Sequence, residues 1–109
     1  MYRRIEVLIG DDWWGPMSAL KWVSIPASVR FAIYDIWDEL SGASVFGADV
    51  RNQCRFAWTQ VGWETLGVRT LAVCQDAFGS ENVRVRHVTG EVAYEDELQV
   101  ALRGTCDVG

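Results

Sequence analysis

The side chains best suited to nucleophilic or proton-transfer chemistry near neutral pH are a lone histidine, His87, and three cysteines, Cys54, Cys74 and Cys106. An odd number of cysteines with no C-x-x-C pair is neither a disulfide framework nor a zinc knuckle. These thiols therefore read as reduced and buried, the usual place of a free cysteine. A nucleophilic cysteine or a helix carboxylate working with His87 is the enzymatic alternative, and no local signature supports it. Alternation along Val83–Val88 puts His87 on the side of Val83 and Val85, so it is expected to face the core. The chain contains no G-x-S-x-G, P-loop, dinucleotide fingerprint or H-E-x-x-H. A non-enzymatic protein is expected, with no cofactor.

Asp11-Asp12 could act as metal ligands or as an acid–base pair. Neighbours on an extended turn point apart, and a divalent site needs several converging oxygens, so no metal site is expected. The pair opens the segment Asp11-Asp12-Trp13-Trp14-Gly15-Pro16. The chain has six tryptophans, and each buries roughly 150–250 Å² when packed. A small domain has little room for six, so Trp13 and Trp14 are expected to anchor a partner, as tryptophan does at interface hot spots. Stacking on a nucleotide is disfavoured because Asp11 and Asp12 repel phosphate.

Two acidic sets follow. Asp35, Asp38 and Glu39 share a predicted helix with Phe31 and Tyr34, and Glu91, Glu95, Asp96 and Glu97 lie near the end. Carboxylates three and four apart on a helix sit about 5–6 Å from each other, comparable to successive phosphates. Such a face suits a basic groove that normally holds nucleic acid. The basic residues gather at Arg51 and Arg55, with Arg55 placed to stack on Trp58, and at Arg84 and Arg86. The last two share one strand face, where they can hold a carboxylate or phosphate bidentately or pair with neighbouring glutamates.

With 15 acidic against 10 basic residues the formal charge is −5 at pH 7. This repels nucleic acid at long range, and no direct nucleic-acid contact is expected. The chain of 109 residues is half hydrophobic and 23% charged, which fits one packed domain over residues 1–109. No apolar run approaches the 18 or so residues that cross a bilayer, and Ile5–Ile9 is too short for a signal segment. A cytoplasmic protein without membrane contact is expected, as a monomer or homodimer.

Alternation predicts a strand over residues 2–9, with Ile5, Val7 and Ile9 buried and Arg4, Glu6 and Leu8 on the other side. Pro26 opens and Gly42 ends a helix near 26–41, with Val29, Ala32, Ile33, Ile36, Trp37 and Leu40 as its apolar stripe. A second helix is predicted near 50–61 after an Asp49 cap, and a third near 63–78 closed by Gly79. Strands near 82–88 and 91–103 complete the pattern, with a turn at Thr89-Gly90. Residues 91–103 fit both periods, and strand is preferred. The result is an α+β domain, a short antiparallel sheet packed against two or three helices.

In size and acidity the chain resembles the small acidic phage proteins that inhibit bacterial CRISPR effectors. The resemblance is one of composition over the whole chain. It implies a protein that docks on a larger, basic nucleic-acid-binding protein or complex in the host cytoplasm and blocks its nucleic-acid site. The expected docking residues are Asp11, Asp12, Trp13, Trp14, Phe31, Tyr34, Asp35, Asp38 and Glu39. A small-ligand module and a self-assembling subunit that buries its tryptophans in a homo-oligomer are the alternatives.

Overall fold

β1 (Tyr2–Ile9) buries Ile5, Glu6 and Val7 in succession, so both of its faces are covered. One-sided alternation predicted Glu6 outside. The computed structural model, which describes residues 2–19, 25–41 and 54–107, shows why. The sheet does not stay flat but closes on itself.

β2 (Asp12–Trp14) folds back on β1 through a turn at Gly10, whose φ of 63° lies in the left-handed region that glycine enters freely. A short α1 (Pro16–Ala19) follows, then α2 (Ala27–Ser41). β3 is Arg55–Trp58. This corrects the predicted helix near 50–61, whose first residues, including Arg51, lie outside the described ones, as does Gly42. Phe56, Ala57 and Trp58 suit a strand, and ladder pairing with β5 overrides the weak helical spacing.

A continuous helical run begins with α3 (Gln60–Gly62), widens into a π segment at Trp63–Gly67 and continues as α4 (Val68–Phe78). Gly79, at φ 89°, closes it as predicted. β4 (Val83–Glu95) and β5 (Gln99–Asp107) complete the chain. Residues 91–95 and 99–103 are thus strand, but they belong to two strands rather than the one predicted over 91–103, and Thr89-Gly90 is not the turn. β4 runs straight through it, with register shifts between Thr89 and Glu91 and between Val92 and Tyr94. The reversal falls at Asp96, whose Oδ1 accepts from the backbone N–H groups of Leu98 and Gln99.

All pairings are antiparallel. β4 gives its first half to β1 and its second half to β5, β5 pairs with β3, and β3 meets β1 at Arg3↔Trp58. Four strands therefore form a closed ring, and the irregularities in β4 supply the bend that closure requires. β2 lies on β1 outside the ring.

The ring has two packed sides. Outside, Ile5, Val7 and Val83 pack with Ala19 and with Cys74 of α4, joined by Trp14, Trp58, Trp63, Leu71 and Phe78. Inside, Val88, Ala57, Val100 and Leu102 pack with Tyr2, so every strand of the ring contributes. Ile36 of α2 meets Leu66 near Trp58, Val73 and Leu98. The architecture is α+β, as the sequence predicts. Among the described residues no helix is long and apolar enough to cross a membrane.

Candidate functional site

α2 carries the first candidate surface. Ile33 and Ile36 are buried, which fixes the rotation of the helix. Phe31, Tyr34, Asp35 and Asp38, spaced by three and four residues, then share the opposite side. Phe31 is 62% exposed and Tyr34 36%, and Asp35, Asp38 and Glu39 are all exposed. The Pro26 carbonyl accepts from the N–H groups of Val29 and Arg30 at 3.1 Å each, starting the helix just ahead of this face. Glu39 is tied to Arg69 of α4 at 3.2 Å, an exposed pair worth little energy. The predicted stripe residues Trp37 and Leu40 have side chains outside the described set.

The Trp13-Trp14 segment behaves differently from its expectation. It is a strand rather than a loop, so its two indoles point to opposite sides of the sheet. Trp14 pairs with Val7 and packs on the outer core, while Trp13 pairs with Leu8. Both are half-buried, and Asp11 and Asp12 are exposed beside them. β2 packs chiefly on β1 and α2 chiefly on α4. The nine predicted docking residues therefore form two groups held by different elements, and exposed aromatic surface belongs to the α2 group alone.

A second site was foreseen only in its arginines, Arg84 and Arg86, and not in the carboxylate they hold. Glu6 is 1% exposed and faces three guanidinium groups. Arg84 reaches its Oε1 through Nη2 at 2.9 Å and through Nε at 3.0 Å. Arg86 Nη1 donates to the same oxygen at 3.1 Å, and Arg4 Nε donates to Oε2 at 3.1 Å. Arg4 Nη1 also donates to the Phe56 carbonyl at 2.8 Å, bringing β3 and its Arg55 toward the cluster. Arg84 passes over β1 to stack on Trp13, 3.9 Å from the ring centroid.

Burial pushes the Glu6 carboxyl upward, but hydrogen bonds from Arg84, Arg86 and Arg4 outweigh it and hold the carboxyl below its ordinary value. Arg4 is shifted down, first by burial and then by the charges of Arg55 and Arg86, against the pull of Glu6. Arg84 and Arg86 thus do hold a carboxylate, and it is the chain's own. The signal was present in the sequence: Arg4 and Glu6 alternate on one strand face and Arg84 and Arg86 on another, with matching parity.

His87 is exposed on β4, opposite Arg3 of β1, which corrects its expected core position. Val85, two residues earlier on the same strand face, is also exposed, at 37%. Cys74 is buried in the outer core and its thiol is pushed up to about 12 by burial. Burial of this kind disfavours the thiolate that a nucleophile needs. Cys54 is half-buried at the edge of β3. Arg55 does not stack on Trp58; the described arginine–indole contacts are Arg3 on Trp63 at 5.4 Å and Arg84 on Trp13. Comparison with family models, curated proteins and solved structures finds no match to the chain.

Proposed function

We propose that the protein is a non-enzymatic binding module that docks through the outward face of α2 on a larger protein with a basic surface. The observation that carries this reading is Phe31 and Tyr34 exposed together on one helix face amid Asp35, Asp38 and Glu39. An exposed phenylalanine is a cost in water that a partner relieves, and Tyr and Phe are enriched at interface cores. The surrounding carboxylates add steering toward a cationic surface and raise the association rate.

A cationic surface that accepts a row of carboxylates is also one that accepts phosphates. The reading therefore extends to an inhibitor that occupies the nucleic-acid site of its partner, working in the cytoplasm. Compactness and net negative charge support this use, since the chain itself is repelled by nucleic acid at long range.

The test is competition. The partner's binding to its nucleic acid should be lost as this chain is added to stoichiometry, and Asp35→Lys with Asp38→Lys should abolish the effect. Undiminished nucleic-acid binding at stoichiometric chain would contradict the inhibitor reading and leave a docking module without that use.

A further inference from the structure

We propose that a second copy of this chain covers the outward face of α2 while no other protein occupies it, the two α2 helices lying antiparallel about a two-fold axis. The inference rests on the reading of this face as a docking surface and gives that surface a regulation, since pairing and docking exclude each other.

Ala27, Phe31, Tyr34 and Asp38 follow one another at intervals of four, three and four residues, and all four are exposed. That spacing lines them up as one stripe along the helix, of the kind that meets a facing helix. The intervals read the same from either end. An antiparallel copy therefore presents the same stripe in the same order, which is what an isologous two-fold contact requires. With the axis level with the middle of Ala32-Ile33, Phe31 comes level with Tyr34 of the second copy and Ala27 with Asp38 of the second copy. Four rings then meet at the centre, where offset or edge-to-face contacts between them are favourable.

Charge selects the direction. α2 has no acidic residue in its first turn and no basic residue in its last. Its cation, Arg30, lies in the first half, and Asp35, Asp38 and Glu39 lie in the second. The helix dipole carries the same signs, positive at the start and negative at the end. Glu39 is paired with Arg69, whereas Arg30, Asp35 and Asp38 have no ion-pair partner among the described residues. Antiparallel copies set the positive half of each helix against the acidic half of the other, twice over. Parallel copies would instead bring Asp35 and Asp38 against their own counterparts.

The contact is small. The 15 residues of α2 span about 22 Å at 1.5 Å per residue. One pair of such helices buries less than the roughly 1,200 Å² of a stable interface. The pair therefore comes apart on dilution, and a partner that covers more surface displaces the second copy.

Sedimentation velocity of the intact chain over roughly 1–500 µM tests the pairing. The expected result is a monomer–dimer equilibrium with a dissociation constant on the order of 100 µM. Phe31→Ser/Tyr34→Ser should remain monomeric throughout. Arg30→Glu and Asp38→Arg, each as a pure protein, should weaken pairing about tenfold, because like charges then face each other twice. An equimolar mixture of these two variants should pair as tightly as the native chain, since every facing charge is again opposite. Circular dichroism checks that each variant is folded.

Three results would overturn the proposal: a native chain monomeric at the highest concentration, pairing undiminished in Phe31→Ser/Tyr34→Ser, or a mixture that pairs no better than either charge variant alone. Pairing and docking fail separately. A chain that stays monomeric yet captures a partner overturns the pairing alone, and a chain that pairs yet captures none overturns docking.

Discussion

Arg84 spans β1 to join Glu6 and Trp13: its Nη2 lies 2.9 Å from the Glu6 carboxylate and its guanidinium carbon 3.9 Å from the Trp13 ring centroid. One side chain thereby links β4, β1 and β2. Glu6 is the centre of this link, because it is buried and neutralises arginines from two strands. Glu6→Gln should lower stability by about 3–5 kcal/mol, the usual cost of removing one partner from a buried ionic cluster. Urea unfolding measures it, and a loss under about 1 kcal/mol would mean that solvent reaches the arginines freely.

The same carboxylate sets a pH dependence. Its folded value lies below its unfolded one, because arginine hydrogen bonds outweigh burial. Its contribution is therefore fully present above the unfolded value of about 4.3 and is lost as pH falls through the folded value. Melting temperature should decline as the solution is acidified below about pH 5. Glu6→Gln should flatten part of that decline, whereas a parallel decline in the variant would assign the acid sensitivity to other groups.

Gly62, in the first turn of the helical run, is required by close approach rather than by backbone freedom. A Cβ there would fall on the carbonyl oxygen of Leu98, in the β4–β5 turn. The same region is bound by Thr59, whose hydroxyl accepts from the Gly62 N–H at 3.0 Å and donates to the Glu97 carbonyl at 2.6 Å. Gly62→Ala should cost about 3 kcal/mol, since a backbone carbonyl cannot move aside cheaply. Gly10 is the contrast: a Cβ there meets nothing within 4 Å, and only its φ of 63° is strained. Gly10→Ala should cost about 1–2 kcal/mol. Denaturant midpoints in the opposite order would refute the account of both turns.

Cysteine labelling separates core from edge. Cys74 is fully buried with its thiol pushed up to about 12, so it should react with a thiol reagent only on unfolding. Cys54, half-buried, should label in the folded chain. Mass spectrometry of the labelled peptides reads both, and fast native labelling of Cys74 would show that α4 opens readily.

Much of the fold could be read from alternation. β1, the first half of β4, α2 and the helical run closed by Gly79 all follow from spacing and stop signals. The helix expected near 50–61 failed because Ala57, Trp58 and Val61 fit both periods, and only β5 decides between them. Glu6 was misplaced because alternation assumes a sheet with one wet face, and ring closure removes that face. The α2 part of the candidate site was legible, since Ile33 and Ile36 fix which side Phe31 and Tyr34 present. The Trp13-Trp14 part was not. Counting tryptophans says nothing of where they pack, and strand pairing sent one indole to the core and the other onto Arg84.

Affinity capture from lysate of the organism's own cells, comparing the native chain with Phe31→Ser/Tyr34→Ser, tests the central claim most directly. Both side chains are exposed, so the double variant should melt as the native chain does. The account predicts a stoichiometric protein partner held by the native chain, released by raised salt and lost with the variant. A partner retained undiminished by the variant, or no stoichiometric partner for the native chain, would contradict docking through α2.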